Sequence, residues 1–201
     1  MQLDKVYDNL NLYATIVTER TMALVMEEWL LLSYKVPPEP SSKRVSIWRK
    51  IKNCGAIYIQ NGVCMLPKND EHQRQFKIIQ NEIISIGGET LLLETVGLDK
   101  KEEDNIITRF NEERNDQYQE FLDKCADYRA EIIKETENKH FTYAELQEND
   151  EDLKKQKGWL EKIRKLDFFG APLLADAEKQ LLICEQMLEE FAQHVFNAEG
   201  Q

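Results

Sequence analysis

The stretch WLLLSYKVPPEPSSKRVSIWRKIKNCGAIYIQNGVCMLP, residues 29–67, carries a strand, a helix and a hairpin in that order. Trp29 to Val36 is a nearly unbroken apolar run, long enough for one strand. Pro37-Pro38-Glu39-Pro40 cannot continue a ladder, because proline lacks the N–H that the ladder needs. Ser41 to Asn53 then alternates apolar and charged residues at helical spacing, with Ser41 and Ser42 as N-cap candidates and Gly55 placed to end the helix. Ala56 to Ile59 and Val63 to Leu66 flank Asn61-Gly62, a strong short-range hairpin signal, since a two-residue turn of that type wants φ > 0 at both positions.

The next residues complete the pattern. Asp70 followed by Gln73 resembles a capping box for a second amphipathic helix, Asp70 to Ile86. Gly87-Gly88 stops it, and Thr90 to Val96 is a last apolar run. The order β-α-β-β-α-β predicts an α+β fold built on a ferredoxin-like unit over residues 29–98. From Asp99 the spacing changes to threes and fours. Phe110, Tyr118, Phe121, Cys125, Tyr128 and Ile132 form one seam, with Arg114 filling its gap. A second helix is expected from about Asp150 to Leu166. A third, from about Leu173 to Phe196, carries Ala177, Leu181, Cys184, Leu188, Phe191 and Val195. Residues 99–201 are therefore expected as an acidic helical region packed on the α/β unit. Residues 1–28 are read as an N-terminal extension, helical or disordered, or else a stretch upstream of the true start.

Charge is unevenly spread. The chain of 201 residues has a net charge of −11, made of −3 over residues 1–28, +3 over 29–98 and −11 over 99–201. Such asymmetry points to charged partners. The four cysteines, Cys54, Cys64, Cys125 and Cys184, form no C-x-x-C pair and no disulfide framework, which fits a reducing cytoplasm. Cys125 and Cys184 sit on helical seams as small core residues; Cys54 and Cys64 are the two worth watching for reactivity. No apolar run reaches the length of a membrane helix.

The most suggestive chemistry is basic. Between Lys35 and Lys52 stand six cations and one anion, Glu39. On a helical projection Ile47, Trp48 and Ile51 share one face, Lys43 and Lys50 lie on the solvent side, and Arg49 and Lys52 flank the other edge. Lys43, Arg44, Trp48, Arg49, Lys50 and Lys52 are the candidate nucleic-acid or oxyanion binding residues, with cations for phosphates and an indole for stacking. The competing reading is a solvated helix with Trp48 in the core, and the projection favours the core for Trp48. Arg44 falls inside the apolar arc, so it is expected to need an acidic partner or a bound oxyanion. His72, His140 and His194 are isolated, and no catalytic or cofactor motif occurs. No catalytic residue, metal or cofactor is expected. The acidic stretch Glu145 to Asp152 reads as a solvated first turn of a helix.

The quoted stretch, with FTYAELQENDEDLKKQKGWLEKIRKLDFFGAP at 141–172 and CEQMLEEFAQHVF at 184–196, resembles the amino-terminal domain of the chromate-resistance regulator family ChrB. A remoter similarity runs to the middle domain of the PaaX repressor and to ferredoxin-like CRISPR-associated nucleases. The resemblance implies a cytoplasmic, non-enzymatic regulator of a chromate-efflux transporter gene, with DNA and chromate as partners, and a homodimer is expected. The alternative is an interaction or dimerisation module without DNA binding. Those nucleases carry a metal-binding Asp at the end of their first strand. Here that place reads Ser33-Tyr34-Lys35, so the resemblance implies no nuclease. Longer members continue into a carboxy-terminal domain, which this chain is expected to lack. Arg44, Trp48 and Arg49 match the family pattern in the SSKRVSIWRK helix.

Overall fold

β1 (Glu28–Lys35) leads into α1 (Ser41–Asn53), β2 (Ile57–Gln60), β3 (Val63–Pro67), α2 (Asp70–Ser85) and β4 (Glu89–Val96). Three long helices follow: α3 (Lys100–Glu137), α4 (Tyr143–Lys165) and α5 (Leu174–Glu199). These elements come from a computed structural model that describes residues 27–199; the short helix read within residues 1–28 lies outside the described residues. The four strands form one sheet in the order β2-β3-β1-β4, and every neighbouring pair is antiparallel. The protein is thus α+β, with helices interspersed among the strands and a long helical region after them.

Alternation along β1 assigns its two faces. Leu30 and Leu32 point toward α1 and α2, where they pack with Ile47, Ile51, Phe76 and Ile83. Trp29 points the other way and packs with Ile57, Met65 and Phe110 of α3. The Trp29 and Phe110 rings stack 5.6 Å apart at 15°. Beyond Phe110, α3 leaves the sheet and builds a second core with α4 and α5 around Tyr118, Phe121, Cys125, Leu160, Cys184 and Phe191. The loop residues Phe168 and Phe169 join the two cores: Phe169 lies 5.3 Å from Phe110, and Phe168 lies 4.8 Å from His72.

Several local expectations change. The N-cap of α1 is Pro40 rather than either serine, and no side chain caps the helix. Asn69, not Asp70, caps α2, its Oδ1 accepting the His72 N–H at 2.8 Å. Asn69 also binds the His72 ring through its amide nitrogen, which an aspartate one residue later cannot do. In the hairpin Gly62 has φ +73°, whereas Asn61 stays at negative φ. A bulge between Tyr58 and Gln60 absorbs the difference and removes the need for two left-handed residues. α4 begins at Tyr143, earlier than Asp150, because Thr142 caps it through the Glu145 N–H at 3.3 Å.

Candidate functional site

The first turn of α1 stands clear of the core. Ser41, Ser42, Lys43, Arg44 and Val45 are all exposed, and the helix buries only Ile47 and Ile51. With no capping side chain and no acidic residue in that turn, the positive end of the helix dipole is left open. This corrects the expectation for Arg44. Its angle on the wheel lies between apolar neighbours, but the protein surface ends before it, so the guanidinium needs no internal partner. Trp48 is corrected as well. Expected in the core, it is 49% exposed, because one residue past Ile47 already turns the indole off the sheet.

Arg44 and Trp48 line one side of an open hollow of about 610 Å³, with Tyr34, Val36, Ser41, Val45, Asn61 and Gly62 completing it. The hairpin comes this close because the Tyr34 N–H donates to the Gly62 carbonyl at 2.7 Å. Beneath it the Tyr34 and Tyr58 hydroxyls share a hydrogen bond of 2.7 Å. Burial, the largest cause, pushes both phenols above their ordinary range, so both remain neutral and polar at physiological pH. Tyr34, Asn61 and Gly62 were not among the binding candidates named from sequence. The Asn-Gly turn was visible there, yet nothing local says that it folds back beside the start of α1.

The six candidates separate into two groups. Lys50 pairs with Glu82 of α2. Lys52 pairs with Glu113 of α3 at 2.7 Å and lies 5.7 Å from the centre of the Tyr58 ring. Among the described residues Lys43, Arg44 and Arg49 have no ion-pair partner, and all three are exposed. The positive surface is therefore narrower than the sequence stripe, and it centres on Lys43, Arg44, Trp48 and Arg49.

The cysteines offer no comparable chemistry. All four are buried. Desolvation pushes the Cys54 thiol up to about 11 and the Cys64 thiol up to about 12, so neither supplies a thiolate near neutral pH. Among the described residues no three His, Cys, Asp or Glu side chains are grouped to hold a metal ion. No helix there is long and apolar enough to cross a membrane.

Comparison with known proteins gives two findings. The family model described as "Protein ChrB, N-terminal" matches residues 44–201, a span that includes Arg44, Trp48 and Arg49. The chain is also similar to "Protein ChrB" of Cupriavidus metallidurans, with 25% identity over 152 residues, covering 76% of this chain and 44% of that protein. It thus spans less than half the length of that relative.

Proposed function

The chain belongs to the ChrB amino-terminal domain family, which is linked to chromate resistance, and from that premise we propose that it is a non-catalytic regulatory module that binds nucleic acid through the exposed start of α1. The observation that carries this reading is the half-exposed Trp48 lining one hollow with Arg44, on a helix whose Lys43 and Arg49 are also exposed and have no ion-pair partner among the described residues. An indole stacks on a base irrespective of sequence, and the three cations neutralise phosphates. The β-α-β-β-α-β order and the antiparallel β2-β3-β1-β4 sheet support a ferredoxin-like reading of the unit that carries this surface. The strong negative charge of residues 99–201 orients the encounter, repelling a polyanion from the helical region and leaving the start of α1 as the approach.

The test is a titration of DNA fragments from the promoter of a chromate-efflux gene, followed by anisotropy across a salt series. If each of Lys43, Arg44 and Arg49 neutralises one phosphate, replacing all three by alanine lowers the slope of log K against log salt by roughly 2.7. Lys50→Ala, whose charge is already spent on Glu82, serves as the control. Unchanged binding by the triple variant refutes the surface. A second reading has its own observation, the uncapped α1 terminus at the hollow, which suits a small dianion. Chromate binding without DNA binding, lost in Arg44→Ala, favours that reading instead.

A further inference from the structure

β4 is the edge strand next to β1, and its outer backbone groups face no strand among the described residues. It is eight residues long, with no lysine, no proline and no bulge against β1. Lysine, proline, a bulge and short length are the usual devices that blunt an open edge, and β4 lacks all four; its only charges, Glu89 and Glu94, lie outside the central leucines. Its side chains are apolar where water should be. Leu91 is 55% exposed and Leu93 is 44% exposed, on the sheet face that α3 covers only farther along, at Trp29, Ile57 and Met65.

We propose that β4 is the pairing edge of a twofold dimer, with β4 of a second copy running antiparallel beside it to make one eight-stranded sheet. Unpaired strand N–H and C=O groups are satisfied best by another strand, and this strand is complementary to itself. A register centred on Leu92 sets Leu91 opposite Leu93 of the second copy, Thr90 opposite Glu94, and Glu89 opposite Thr95. Centring on Leu91 would oppose Glu89 to Leu93; centring on Leu93 would oppose Leu92 to Glu94. Only the Leu92 register opposes all three leucines to leucines, and it sets each carboxylate opposite a threonine.

Charge points to a like copy as well. Glu94 is already neutralised within its own chain by Lys68 at 2.8 Å, and Glu89 stands opposite Lys35 in the β1 register. The edge is electrically quiet, so a second quiet edge fits it better than a strongly charged partner. The size is sufficient but modest. Eight residues make an edge of about 27 Å, and a sheet with one helical layer is about 20 Å deep, giving of order 500 Å² per copy. That is the low end for a specific dimer, so association should depend on concentration in the micromolar range.

The experiment is sedimentation velocity on the full chain from sub-micromolar to hundred-micromolar concentration. A monomer–dimer equilibrium is expected. Leu91→Lys with Leu93→Lys opposes lysines across the twofold and should raise the dissociation constant about 100-fold, with an unchanged far-UV circular dichroism spectrum. Leu91→Cys with Leu93→Cys tests the register directly: mild oxidation should give a covalent dimer, while Ile78→Cys, exposed on α2, should not. A chain monomeric throughout overturns the proposal. So does a dimer indifferent to the lysine pair, or cysteines at 91 and 93 that crosslink no better than the Ile78 control.

Discussion

Replacing Phe110 by alanine should loosen the join between the sheet and the helical region more than any exposed change. Phe110 is 2% exposed and meets three aromatic rings: Trp29 at 5.6 Å, Phe169 at 5.3 Å and Phe168 at 6.0 Å. Truncating a buried phenylalanine costs about 3–5 kcal/mol through lost transfer energy and the cavity left behind. Three ring contacts, each worth about 0.5–1.5 kcal/mol beyond area, place this site in the upper half of that range. For a chain of this size a 4 kcal/mol loss lowers the melting temperature by about 8–16 °C. Urea unfolding followed by circular dichroism and tryptophan emission reads it out. Trp29 is fully buried in the native protein, so its emission should shift to the red in the variant before the helices melt. A loss below about 1 kcal/mol with unchanged emission would refute the reasoning, because it would mean that α3 does not close that face of the sheet. Binding through the proposed α1 surface should be unaffected wherever the variant is folded, since Phe110 lies on the sheet face opposite α1.

Two glycines and one buried arginine carry further tests. Gly62 and Gly87 have φ of +73° and +79°, yet a Cβ at Gly62 would lie 2.5 Å from the Tyr34 carbonyl oxygen, whereas one at Gly87 meets nothing within 4 Å. Gly87→Ala should therefore cost only the left-handed penalty of about 1–2 kcal/mol, and Gly62→Ala clearly more, as measured by thermal melts of the two variants side by side. Arg114 is buried on the α3 seam; its Nη1 lacks a hydrogen-bond partner among the described residues, and desolvation holds its pKa below the usual guanidinium value. Arg114→Met fills the same space without the charge, and Glu113, 3.4 Å from the guanidinium, keeps its bridge to Lys52; stability in urea titrations should therefore change by less than about 1 kcal/mol, whereas a loss of about 3–5 kcal/mol would show that Arg114 compensates buried carboxylate charge.

Much of the architecture was legible along the chain because it is written in local rules. Pro37 to Pro40, Asn61-Gly62 and Gly87-Gly88 each break the backbone for a reason that needs no distant residue. The seam through Tyr118, Phe121, Cys125 and Tyr128 follows from the 3.6-residue turn alone. Tertiary structure decided what the helical wheel leaves open. A wheel gives the direction of Arg44 and Trp48 but not what packs beneath them; in the folded chain both side chains meet solvent. Nor does local spacing tell which lysines are spent. Lys52 finds Glu113 sixty-one residues away, and Lys50 finds Glu82 on the neighbouring helix, pairings that exist only once α1, α2 and α3 are packed. Short-range chemistry fixed the elements, and their packing selected which lysines are spent on ion pairs.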